Sequence, residues 1–186
     1  MLGALPAASD AQRRSLLTSL RALVAAALLA VASVAHSAEL RTIAMLDFDL
    51  VDDQHEFAPA TVEYQRLPAI RDQLESAFAA NGLYRVVDIA PARAMIDAYL
   101  ARTQIRDCNG CELDIGRALG ADRVLIGWVQ KVSNLILNIN IQIEDVASGA
   151  VVLNKSVDLR GNTDESWRRG VAALVRSIID KDQGNR

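Results

Sequence analysis

The 186 residues carry 20 Lys and Arg against 23 Asp and Glu, a net charge of −3, and only 4% aromatics. A mildly acidic chain has no electrostatic reason to hold nucleic acid or an anionic lipid surface. Sparse aromatics argue against a stacking platform for bases or sugars.

The N-terminus has the three zones of a cleavable export signal. Arg13, Arg14 and Arg21 form a positive region, Ala22 to Ala35 an apolar run, and Ser33, Ala35, Ser37 and Ala38 a cluster of small residues. The apolar run is shorter than the ~20 residues of a stable span, although a retained N-terminal anchor is the alternative. The cut falls between Ala35 and Ala38. The adjacent arginines only faintly match a twin-arginine signal. The expected organisation is therefore a signal over 1–38 and one domain over 39–186. Removing the signal leaves a net charge of about −5 and no stable membrane span.

Arg41 to Leu50 reads as a buried strand, and residues 51–66 as a polar surface loop. Leu67, Ile70, Leu74, Ala77 and Phe78 then fall on one helical face up to Ala80. Asn81-Gly82 stops that helix. Leu83 to Asp88 is a second strand, and Pro91 opens a helix. A short helix follows over Cys111 to Leu119. Arg123 to Val132 is a strand with Val124, Ile126 and Trp128 on one side and Leu125, Val129 and Lys131 on the other. Leu135 to Asp145 alternates most clearly: Leu135, Leu137, Ile139, Ile141 and Ile143 against Asn138, Asn140, Gln142 and Glu144. Val151 to Leu159 continues this meander. A helix capped by Thr163 or Asp164 closes the domain, with Trp167, Val171, Leu174 and Ile178 in one stripe. The order β-α-β-α-α-β-β-β-α predicts a two-layer α/β (α+β) sandwich. Its mixed sheet has about five strands, with helices covering one face.

Few groups could carry chemistry. Cys108 and Cys111 are the only cysteines, and in an oxidising compartment they are expected to form a disulfide. So small a loop stabilises by about 2 kcal/mol at most. A thiol–disulfide exchange motif is the sharper alternative. It is weakened because Thr103–Arg106 does not read as the buried strand that precedes such a motif. Zinc lacks ligands, with only His55 and perhaps His36 to add. Asp47, Asp49, Asp52 and Asp53 cluster without the spacing of a calcium loop, so a solvated strand end is favoured over a metal site. No Ser/His motif, phosphate loop or dinucleotide turn is present.

Three strings resemble the TolB amino-terminal-like (CsgG-like) periplasmic superfamily. They are Thr42-Ile43-Ala44-Met45-Leu46-Asp47-Phe48, Cys111 to Gly127 with its Leu119-Gly120-Ala121-Asp122, and Ile143 to Gly149. The resemblance covers about residues 40–180, and is strongest to small stand-alone proteobacterial members. It implies a periplasmic or envelope protein that docks to other proteins, as lipoprotein activators of penicillin-binding proteins do. The propeller, the lipid-anchoring Cys and the membrane-strand insertions of other members are missing. The expectation is a soluble periplasmic accessory or adaptor protein, not an enzyme, with no cofactor and no metal. Its partner would belong to an envelope complex or a periplasmic quinoprotein dehydrogenase system. Asn138, Asn140, Gln142 and Glu144 are the candidate partner-facing sheet surface, or else a solvated face. A thiol–disulfide exchanger using Cys108 and Cys111 and a small-ligand-binding module are the alternatives.

Overall fold

The computed structural model describes residues 39–52 and 60–184. The expected signal over 1–38, and with it His36, lies outside the described residues, as do Asp53 and His55. The strands are β1 (Thr42–Met45), β2 (Asp49–Asp52), β3 (Arg85–Val87), β4 (Arg123–Ser133), β5 (Ile136–Asp145) and β6 (Val151–Arg160). The helices are α1 (Thr61–Ala80), α2 (Arg93–Leu100), α3 (Cys111–Ala118) and α4 (Asp164–Gly184).

The strands form one mixed sheet of order β3-β1-β4-β5-β6, with β2 also paired to β4. β3, β1 and β2 run parallel to their neighbours, whereas β4, β5 and β6 are an antiparallel meander. The mixed α/β sheet and the closing C-terminal helix are as the sequence predicts.

The sixth strand arises because the apolar run after Arg41 breaks in two. Leu46 still donates its N–H to Leu125 O at 3.0 Å, after which the backbone leaves the ladder. Phe48 turns its ring over Gly127 of β4, where an added Cβ would lie 2.4 Å from the ring. The missing side chain makes the space that lets β2 resume on β4, with Asp49 opposite Trp128.

The predicted loop over 51–66 is corrected at both ends. Val51 and Asp52 belong to β2, and α1 begins at Thr61, well before the periodic stripe at Leu67. Val62 and Tyr64 in its first turns are exposed, so they contribute nothing to an apolar period. Pro68 sits inside this helix, where it would more readily read as a start.

One sheet face carries the larger core. Ile43, Met45, Leu125, Val129, Ile139 and Ile141 meet Leu74 and Phe78 of α1 and Trp167 and Leu174 of α4. Fully burying each such side chain stabilises by about 1.5–3 kcal/mol. Helices also cover part of the second face, beyond the single covered face that the pattern suggested. There Ala44, Leu46, Val124 and Ile126 pack with Ile96 of α2 and Ile115 of α3. The polar side of β5 and β6 is not part of that cluster. α4 is opened by a reciprocal cap: Ser166 N–H donates to Thr163 Oγ1 (3.1 Å) and Thr163 N–H to Ser166 Oγ (3.0 Å).

Candidate functional site

The register of the meander places the candidate surface residues in rows. Gln130, Asn138 and Asp158 lie side by side across β4, β5 and β6, as do Trp128, Asn140 and Ser156. A third row holds Ile126, Gln142 and Asn154. Along β5 the amides pair with each other. Asn140 Nδ2 donates to Asn138 Oδ1, and Gln142 Nε2 to Glu144 Oε1, both at 2.5 Å. Asn138, Asn140 and Gln142 are half-buried, and Asn154, Ser156 and Asp158 are exposed. Glu144 is buried beside Glu112 of α3, which is also buried and whose Oε2 has no hydrogen-bond partner among the described residues. Burial pushes the Glu112 carboxyl up, and the Glu144 charge adds to the shift.

β6 pairs with β5 along its length and, among the described residues, borders no further strand. Val151 and Val152 are exposed at its start. Val132, Leu135 and Ile136 are exposed around the β4–β5 turn.

Cys108 and Cys111 are joined as a disulfide, with Cα atoms 5.6 Å apart. A 3-10 turn over Ile105–Asp107 precedes the pair in place of a strand. Gly110 between them has φ 102°, a left-handed conformation that favours glycine, and α3 starts at Cys111. The 3-10 turn just before the closed loop carries Arg106, whose Nη1 donates to Asp49 Oδ2 at 2.6 Å.

The described members of the acidic cluster are spread among cations. Asp47 pairs with Arg71 of α1 (3.3 Å) and with Arg93 of α2 (2.6 Å), bridging the helices of the two faces. Asp49 pairs with Arg106, and Asp52 with Lys131. Burial raises the Asp49 carboxyl, against lowering by the Leu50 N–H and Arg106. Among the described residues, no three His, Cys, Asp or Glu side chains are grouped to hold a metal ion.

Sequence reasoning missed a buried charge network. Lys131 Nζ lies 2.8 Å from Glu63 Oε1 and 3.3 Å from Asp52 Oδ2. Asn162 Nδ2 also donates to Glu63 Oε1 (2.6 Å), while its Oδ1 accepts from Arg66 Nη1 and Trp167 Nε1, each at 2.9 Å. One signal could have found it: Lys131 alternates in phase with Leu125 and Val129, facing the core. At the far end of the sheet, Asp122 accepts from Thr42 N–H (2.8 Å) and Thr42 Oγ1 (2.9 Å). Those bonds hold its carboxyl below the usual range. This gives the Gly-Ala-Asp string a structural task, tying the start of β1 to the start of β4.

Among the described residues, these elements define a mixed α/β domain with an unpaired strand edge and a polar sheet side beside it. The chain belongs to the DUF3280 family, whose model, described as a protein of unknown function (DUF2380), matches residues 41–179. No curated protein matches it. Solved structures that resemble it include the LpoB C-terminal domain from Salmonella enterica, at 16% identity and TM-score 0.45, covering 68% of this chain and 87% of that one. Lipoprotein GNA1162 from Neisseria meningitidis resembles it at 14% identity and TM-score 0.45, covering 75% and 99%. TolB from Acinetobacter baumannii does so at 15% identity and TM-score 0.45, covering 79% of this chain and 30% of that one. Among the described residues, no helix is long and apolar enough to cross a membrane.

Proposed function

We propose that the chain is exported and works in the periplasm as an accessory or adaptor protein, docking onto another envelope protein without catalysing a reaction. The observation that carries this reading is the edge of β6, ten residues long and, among the described residues, paired on one side only. A strand of a partner can extend the sheet there. Backbone hydrogen bonds would supply affinity, and alternate side chains the register. Lys155 at the middle of β6 lies on the core side of the sheet, opposite Ile141. An inward charge of this kind discourages indiscriminate edge pairing and suits one matched partner. The adjoining Asn138, Asn140 and Gln142 would form the polar rim of such an interface.

The partner would belong to an envelope complex or to a periplasmic quinoprotein dehydrogenase system. Co-purification from periplasmic extracts, with the bound protein identified, tests the proposal. One defined partner is expected with the natural chain, and its loss with Val152→Lys and Ser156→Lys on the edge strand. Retention of the same partner by the doubly charged edge, or no partner under several growth conditions, would overturn it.

A further inference from the structure

β1 and β3 are adjacent and parallel, and the chain leaves their carboxyl ends toward opposite faces. From β1 it passes through β2 to α1, which packs on the larger core, whereas from β3 it passes to α2 on the other face. Open α/β sheets place small ligands beyond the carboxyl ends of their strands. Here a cavity of about 140 Å³ lies beside the β1 exit, between the β1–β2 turn, Ile126 and Gly127 of β4, and Ile96 and Leu100 of α2. A cavity of about this size can hold about six heavy atoms, since about 150 Å³ accommodates benzene, which is room for an aliphatic side chain whose charged end sits at the exposed ion pair.

Its lining has two characters. Leu46, Ile96, Leu100, Ile105 and Ile126 supply an aliphatic wall. Asp49 and Arg106 supply a bonded pair of opposite charges, and their side chains keep 22% and 26% exposure, so both can be reached. A guest with one charge would take one member of this pair and leave the other only a lesser contact, Asp107 at 3.3 Å for Arg106 or the Leu50 N–H for Asp49. A guest with both charges replaces the pair in kind. We infer that this cavity binds a small zwitterion with an aliphatic body, a free α-amino acid of about the size of leucine. Its carboxylate meets Arg106, its ammonium meets Asp49, and its side chain lies against the aliphatic wall. The 3-10 turn that presents Arg106 runs directly into the disulfide between Cys108 and Cys111. The site is distinct from the β6 edge, so neither proposal depends on the other.

Thermal unfolding and titration calorimetry with three probes at millimolar concentration test the inference. The probes are leucine, leucine amide (ammonium only) and 4-methylpentanoate (carboxylate only). Leucine is expected to raise the melting temperature by several degrees and to bind at least tenfold more tightly than either singly charged analogue. Arg106→Gln is expected to abolish the shift. Leu100→Trp, which fills the mouth and leaves the ion pair in place, is expected to abolish it as well, with an unchanged far-ultraviolet spectrum. Equal shifts from all three probes, a shift from one analogue alone, or none from leucine would each overturn the inference.

Discussion

Lys131 Nζ lies 2.8 Å from Glu63 Oε1, and these side chains keep only 4% and 6% of their exposure. The contact ties the first turn of α1 to the inward side of β4, and Asp52 of β2 completes the group. Charges this deep are held by their partners, and removing one leaves the others uncompensated. Lys131→Met is therefore expected to cost about 3–5 kcal/mol. Adding Glu63→Gln to it should restore part of that loss, because the buried Glu63 charge that lost its cation is then removed. Equilibrium denaturation of the single and double variants measures both.

The same group sets a pH window. Burial alone would raise the Glu63 carboxyl, but hydrogen bonds from Lys131 and Asn162 outweigh it and hold the carboxyl below its usual 4.5. Its contribution is complete above that ordinary value and is lost as pH falls through the lower folded one. For Lys131, burial would lower the ammonium, but Glu63 and Asp52 outweigh it and hold it above its usual 10.5. Its contribution is complete below 10.5 and is lost as pH rises through the folded value. Melting temperature against pH should fall away at both extremes, and the alkaline fall should be smaller in Lys131→Met.

Glu112 behaves in the opposite sense. Its carboxyl is raised by burial and by Glu144, and one oxygen has no hydrogen-bond partner among the described residues. A raised carboxyl loses stability as pH climbs from its ordinary value through the folded one. Glu112→Gln removes the buried charge at nearly constant volume. It is expected to stabilise the protein at neutral pH, and the gain should vanish in acid. Chemical denaturation of both forms at pH 4 and pH 7 checks the sign and its pH dependence.

Gly127→Ala tests how the first strand divides. The new Cβ would lie 2.4 Å from the Phe48 ring, which cannot stay where it is. Overpacking of this kind costs about 1–3 kcal/mol. A cavity-making partner, Phe48→Leu, should relieve much of the clash when combined with it. The double variant should then be less destabilised than the sum of the two singles.

Where one side of an element was apolar and the other polar, the sequence was legible. β5 alternates between Leu137, Ile139, Ile141 and Ile143 and the amides, and the structure has the same alternation. The stripe of Trp167, Val171, Leu174 and Ile178 likewise became the inward face of α4. Legibility failed where periodicity had nothing to register. The opening turns of α1 are polar or exposed, and the break between β1 and β2 depends on Gly127, about eighty residues away. The charged groups show the same limit. Asp47, Asp49 and Asp52 look alike in the sequence, yet each pairs with a cation from a different part of the chain.

The residues by themselves determined the element types, the alternating meander, the acidic balance of the domain and the nearness of Cys108 to Cys111, because each follows from local spacing and composition. Only the tertiary structure decided which strands became neighbours, that Lys131 meets Glu63, that Arg106 meets Asp49, and where the cavity at the β1 exit lies. Those contacts join residues tens of positions apart. Their energy comes from burial and charge pairing that exist only once the sheet has brought them together.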